Sequence, residues 1–301
     1  MDKRLLSFGH GFSARALAAR LVPEGWHIIG TTRSQDKLAE IAATGVEPIL
    51  WPGSDPTALI QEFPNILISA GPGDDGDPVL AEMHDAFTVA SDIRWLGYLS
   101  TTGVYGDHQG GWVDEQTPLT PSTKRGQARV KAEAAWQSIP DLPLHIFRLA
   151  GIYGLGRGPF AKVRKGTARR IIKENQVFSR IHVDDIAQAL ELSLAAPDAG
   201  AIYNMCDDDP APPQDVIGHA AELLGLPIPP ATAIEDAEMT PMARSFYAES
   251  KRVRNDFIKQ ALGWEPIPLY TSEADAAEEN ADAGRRRTSK KRATQHDTNG
   301  Q

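Results

Sequence analysis

Apolar residues in the first hundred positions fall into short runs whose period switches back and forth between that of a strand and that of a helix. Arg4-Leu5-Leu6-Ser7-Phe8 is a compact apolar run closed by Gly9, the pattern of a short buried strand. Ala14 to Leu21 then carries apolar positions at helical spacing, and Trp26-His27-Ile28-Ile29-Gly30 reads as a second strand ending in Thr31-Thr32-Arg33-Ser34. The alternation continues with a helix over 35–44, a strand over 46–50, a short helix over 55–63 and a strand over 66–70 that runs into Gly71-Pro72-Gly73. A helix over 78–90 places Leu80, Met83 and Phe87 on one face, and Trp95 to Ser100 forms a fifth strand. Strands that alternate with helices in this way predict an α/β fold: a doubly wound parallel sheet covered on both faces, with right-handed crossovers. Ligands of such sheets bind outside the carboxyl ends of the strands, which here means the loops at Gly9, Thr31, Trp51, Ala70 and Ser100.

The order strand, Gly9-His10-Gly11-Phe12-Ser13-Ala14, helix, strand is that of a dinucleotide-binding unit of Rossmann type. Gly9 permits a tight exit from the strand, Gly11 lets the backbone approach a diphosphate, and the small Ala14 lets the helix pack close to the sheet. The helix start then offers free N–H groups to the phosphates. Where an NAD-binding strand ends in a carboxylate, this one has no acid before Asp36; it has Thr32 and Arg33. That combination favours the 2′-phosphate of NADP, with NAD as the lesser alternative.

Beyond residue 150 the pattern becomes less regular. Phe160 to Arg170 reads as a basic helix carrying Lys162, Arg164, Lys165, Arg169 and Arg170, which either faces an anionic substrate or is solvated. Pro213 to Leu224 and Ser250 to Leu262 read as helices of a small C-terminal substrate lobe. The organisation expected is a dinucleotide-binding core over 1–150, remaining core elements with the small lobe over 151–271, and a disordered tail over 272–301. The tail has almost no apolar residue other than alanine, so it lacks the surface to bury on folding.

Composition narrows the classes. The chain of 301 residues has a formal net charge of −9, which gives no global attraction to nucleic acid or to an anionic membrane. One cysteine, Cys206, excludes an internal disulfide and suits a reducing, cytoplasmic compartment. No apolar run has the length of a membrane span and no signal-peptide pattern opens the chain. Asp207-Asp208-Asp209 precedes a proline and reads as a solvated turn, and no His/Cys cluster supports a metal. Nothing in the composition opposes a homodimer.

Leu99-Ser100-Thr101-Thr102-Gly103-Val104-Tyr105-Gly106 at the end of the fifth strand resembles the extended branch of the short-chain dehydrogenase/reductase superfamily, the NAD-dependent epimerase/dehydratase type. Trp112 to Glu115, Pro118 to Pro121, Phe147 to Gly154, Ile181 to Ala187 and Tyr203 to Met205 fit the same pattern in order, over roughly residues 3–265. The resemblance implies that Gly9 to Ala14, Thr32, Arg33, Ser69, Ala70, Gly71 and Ser100 line the cofactor. It implies that Thr101 bonds the substrate oxygen. The family's acid/base pair, Tyr-x-x-x-Lys, falls on Arg125 and Arg129. Arginine stays protonated, so neither serves as a proton shuttle near neutrality. Arg129 can still hold the nicotinamide ribose, Arg125 can clamp an anionic or nucleotide-linked substrate, and Tyr105 is a replacement source of protons. A literal Tyr-x-x-x-Lys at Tyr247 and Lys251 lies some 120 residues too late and reads as chance, and His182 reads as a helix cap. The expectation is an atypical NADP-preferring oxidoreductase or epimerase-like enzyme, with a non-catalytic dinucleotide sensor as the alternative.

Overall fold

A computed structural model of the chain describes residues 2–267, so the expected tail over 272–301 lies outside the described residues. Seven strands form one sheet: β1 Arg4–Phe8, β2 His27–Thr32, β3 Glu47–Leu50, β4 Asn65–Ile68, β5 Trp95–Thr101, β6 Leu144–Leu149 and β7 Ile202–Met205. All pairings are parallel and the spatial order is β7-β6-β5-β4-β1-β2-β3. The chain therefore winds outward from β1 to β3, then crosses back to β4 and winds the other way. The reversal opens a crevice between the ends of β1 and β4, where ligands of such sheets bind.

Side chains alternate between the two faces. Leu5, Leu67, Leu99 and Phe147 join one buried cluster, while Leu6, Phe8, Ile66, Ile68, Tyr98 and Ile146 join another. Helices α1 Phe12–Leu21 and α7 Val183–Ala195 cover the first face. In α1 the buried residues Ala14, Leu17, Ala18 and Leu21 recur at helical spacing. Between them in sequence come α2 Leu38–Ala42, α3 Thr57–Glu62, α4 Pro78–Val89, α5 Lys124–Gln137 and α6 Pro159–Arg164. The second cluster takes Met83 and Phe87 from α4 and Trp136 from α5, so these helices cover the opposite face. A third, smaller cluster joins Phe160 and Val163 of α6 to Val216, Ile217 and Ala220 of α8 Pro213–Leu223.

Two sequence-based expectations change. The basic stretch from 160 is helical only to Arg164; Gly166 then adopts φ +65 and Arg170–Ile172 becomes a short strand paired with Ala231–Ala233. Arg169 and Arg170 turn back to the carbonyls of Glu238 and Gln214, at 2.5 and 3.2 Å. The expected helix from Ser250 begins only at Asp256, because Arg252–Val253 pairs with Trp112–Val113. In both places a strand partner distant in sequence overrides local helical spacing.

Candidate functional site

The turn after β1 is held from both sides. Gly9 has φ +77, and a Cβ on it would lie 2.7 Å from the backbone nitrogen of Ala70, so only glycine fits. The Gly9 N–H donates to Thr31 Oγ1 at 2.8 Å and the His10 N–H donates to the Thr31 carbonyl at 2.7 Å. The Ser69 and Ala70 N–H groups both donate to the Phe8 carbonyl, at 2.8 and 3.0 Å, which fixes the β4 end against the turn. Gly11, in contrast, meets no atom closer than 3.7 Å where a Cβ would stand. It is also the N-cap of α1, with no side chain to cap the helix, whereas Asp77, Thr123 and His182 cap α4, α5 and α7. The N–H groups of Phe12, Ser13 and Ala14 thus begin a helix whose positive end faces the crevice, a fitting cradle for the diphosphate of a dinucleotide.

His10 supports this turn from below. Its ring is buried against Gly30, where a Cβ would lie 2.7 Å from His10 Cγ, and its Nδ1 sits 3.3 Å from Ser7 Oγ. Nε2 is buried with no hydrogen-bond partner among the described residues. Loss of water, with a smaller contribution from the Arg15 charge, pulls its pKa from 6.5 to about 4.

At the β2 end, Thr31 is buried beneath the turn, Thr32 Oγ1 accepts from the Ser34 N–H at 3.3 Å, and Arg33 is exposed. Sequence reasoning passed over Arg15, whose guanidinium pairs with Glu40 at 2.5 Å and holds that carboxyl below its usual range.

Three expected site residues, Thr101, Arg125 and Arg129, lie at the end of β5 or on the helix that follows it. Thr101 is partly exposed; its Oγ1 accepts from the Gly103 N–H at 3.2 Å and caps the short 3-10 turn Thr102–Tyr105. Arg129 lies across the crevice: a guanidinium nitrogen donates to the Leu99 carbonyl, the group stands 5.6 Å over the Tyr98 ring, and it reaches within 3.1 Å of a Cβ position on Gly71. Arg129, Gly71 and the β5 end are thereby brought together. Arg125 is exposed on the first turn of α5, next to Gly126, which packs so close that a Cβ would lie 2.6 Å from the Gly103 carbonyl.

Ser100 and Tyr105 are elsewhere than expected. The buried Ser100 hydroxyl donates to Glu133, whose carboxylate meets Arg148 at 2.8 Å. Arg148 donates to the Tyr105 hydroxyl at 2.9 Å, which in turn donates to Asn204 Oδ1 at 2.7 Å. Tyr105 is fully buried, and burial, opposed by Arg148, pushes its pKa up to about 12. The assignments of Tyr105 to proton transfer and of Ser100 to the cofactor are corrected on this ground: both hydroxyls are internal members of a core network joining β5, α5, β6 and β7. Glu133 was legible only as a landmark beside the helix, because its partners Ser100 and Arg148 are distant in sequence.

Tyr247 packs its ring against Phe178 at 5.8 Å, while Lys251 donates to Gly106 and Glu249 at 2.6 and 2.7 Å, so the literal Tyr-x-x-x-Lys is not a pair. Asp208 pairs with Lys259, and burial raises the pKa of Asp207 to about 8. Among the described residues no group of three or more His, Cys, Asp or Glu stands ready for a metal, and no helix is long and apolar enough to cross a membrane.

The sheet order and the open glycine turn at its switch point define a Rossmann-type α/β protein, the fold of the epimerase/dehydratase proteins of the short-chain dehydrogenase/reductase superfamily. DesIV, a dTDP-glucose 4,6-dehydratase of Streptomyces venezuelae solved with NAD and TYD bound, is 19% identical at a TM-score of 0.69, over 89% of this chain and 93% of that one. The chain belongs to the same family as protein YeeZ of Escherichia coli, with 32% identity over 242 residues, 75% of this chain and 86% of YeeZ. A solved conserved protein of unknown function from Silicibacter pomeroyi is 57% identical at a TM-score of 0.86, over 93% of this chain and 99% of that chain. No protein-family model matches the chain.

Proposed function

We propose that the protein is an NAD(P)-dependent oxidoreductase or epimerase-like enzyme that prefers NADP, acting on a small-molecule substrate in a reducing, cytoplasmic compartment. The observation that carries this reading is the turn itself: Gly9 locked by Ala70, Gly11 open, and a helix start with no side-chain cap. The backbone of His10 to Ala14 holds the diphosphate. Arg33 meets the 2′-phosphate. Arg129 takes the nicotinamide ribose beside Gly71, in the place of the family's lysine. Bound there, a nicotinamide dinucleotide supplies a hydride donor or acceptor. Thr101 orients a substrate oxygen, and with arginine at position 125 the proton comes from the substrate or from water held at Thr101. The cluster of α6 and α8 forms the substrate lobe.

Fluorescence titration of the native protein with NADPH and NADH tests the reading. Charge-assisted bonds of about 1.5–3 kcal/mol favour NADPH by roughly ten- to a hundredfold. Equal affinities would remove Arg33 from the site, and no binding of either would remove the cofactor reading. The burial of Tyr105 favours a second reading, a dinucleotide sensor; tight NADPH binding with no turnover across aldehydes, ketones and sugar nucleotides would select it.

A further inference from the structure

A pocket of about 190 Å³ opens beside the first residue of α1, walled by Phe12, Tyr153, Leu155 and Phe160, with His182 among the few polar groups that line it. The His182 ring meets the Tyr153 ring nearly edge-on, with centroids 5.1 Å apart and planes at 66°. Gly154 lines the same pocket. A Cβ on it would lie 2.7 Å from Val183 Cγ1, 3.3 Å from Phe12 Cζ and 3.4 Å from His182 Nε2, so the glycine keeps open the space in front of that nitrogen. The turn that carries Gly154 is fixed: Gly154 and Arg157 exchange backbone hydrogen bonds at 2.9 Å in both directions, and the Arg157 guanidinium lies 5.3 Å over the Phe12 ring.

The two nitrogens of His182 do different things. Nδ1 accepts from the Asp184 N–H at 3.3 Å and so caps α7, with the Asp184 carboxylate 3.6 Å from the same nitrogen. An accepting Nδ1 puts the proton of the neutral ring on Nε2, and the charged ring carries one there as well, so Nε2 is a donor in both states. Among the described residues nothing accepts from it, although the side chain is only 12% exposed. The cap alone does not call for histidine: Asp77 and Thr123 cap α4 and α5 with short side chains that end at the helix. The imidazole reaches past the cap and presents a donor to a mainly apolar, aromatic pocket. Such a site holds a small ligand by shape and orients it by a single polar group.

We infer that this pocket binds a single-ring aromatic compound bearing a carbonyl oxygen, and that His182 Nε2–H donates to that oxygen. The ligand's ring lies against Phe12, Tyr153 and Phe160, and the bond from His182 fixes its orientation without transferring a proton. A pocket of this size admits one ring with a short substituent and not a nucleotide-linked substrate. Phe12 belongs both to this wall and to the diphosphate cradle, so the ligand sits beside the cofactor and apart from it. Only the ligand's role as substrate rests on the cofactor reading.

The test is ligand-observed NMR titration of the full chain with acetophenone and with ethylbenzene, which has the same ring and chain but no acceptor, each alone and with saturating NADP. Acetophenone should bind about tenfold more tightly in both states, because ethylbenzene leaves the Nε2–H unpaired. In His182→Asn the shorter side chain still caps α7 but does not reach the pocket, so the melting temperature should hold while the two compounds bind alike. No binding of acetophenone, or equal affinities in the native protein, would overturn the proposal whatever the variant does, as would a preference that a folded His182→Asn retains. Displacement of acetophenone by NADP would assign the pocket to the cofactor's own nicotinamide amide and also overturn it. Failure of NADP to bind, with the preference and its dependence on His182 intact, would remove the cofactor reading and leave the aromatic site standing.

Discussion

The histidine inside the glycine turn should make the fold acid-sensitive by a calculable amount. Folding holds the pKa of His10 near 4, against 6.5 for the free side chain. The direction follows from burial: water is lost around a ring whose Nε2 has no partner, and the Arg15 charge adds to the penalty on the imidazolium. A base with a depressed native pKa binds more protons when unfolded, so stability is full above pH 6.5 and declines as the pH falls from there toward 4. Two and a half units correspond to about 3 kcal/mol in full, of which about 2.5 kcal/mol is already lost at pH 4.5. The perturbation is His10→Asn, which keeps a polar atom near Ser7 and removes the titration. Urea unfolding of both proteins, followed by far-UV circular dichroism from pH 8 to 4.5, gives the difference in stability at each pH. That difference cancels the carboxylates common to both. It should shift against the native protein by about 2.5 kcal/mol between pH 8 and 4.5. Parallel pH profiles would refute the argument, because the ring would then be solvated or paired when the protein folds.

Three other outcomes are expected. Glu133→Gln leaves the buried Arg148 guanidinium without its counter-charge and should cost about 3–5 kcal/mol, read as a fall in melting temperature of roughly 6–20 °C; a change under 2 °C would show that the pair is not buried. Asp207 has its native pKa raised from 3.8 to about 8, so its stabilisation is present below pH 3.8 and lost as the pH rises through 8. Asp207→Asn, neutral throughout, should therefore melt higher than the native protein at pH 8.5 and lose that advantage toward pH 4, and an advantage independent of pH would reject the assignment. Thr32→Asp combined with Arg33→Ala should reverse the preference for NADPH over NADH in a fluorescence titration, since an Asp at 32 can accept from the Ser34 N–H as the threonine does while repelling the 2′-phosphate. Retained NADPH preference would remove Thr32 and Arg33 from recognition of that phosphate.

The order of strands and helices through β5, the glycine turn and the helix that follows it were legible in the sequence because each depends on a few adjacent residues. A buried strand needs an apolar run, an amphipathic helix needs its spacing, and a turn with positive φ against a neighbouring strand needs Gly9. The reach of a side chain was not legible, because it depends on which strands become neighbours. Ser100 and Tyr105 sit in a motif that reads as ligand-facing, yet the pairing of β5 with β6, and of β6 with β7, places Arg148 and Asn204 beside them, and α5 adds Glu133. A buried guanidinium must find acceptors, and these hydroxyls and the carboxylate are what the fold puts within reach. In the same way Arg129 meets the Leu99 carbonyl and Gly71 only because α5 packs against the ends of distant strands. Local chemistry determined the turn that cradles a diphosphate; the packing of distant elements decided which hydroxyls were withdrawn from the site and which arginines were left facing it.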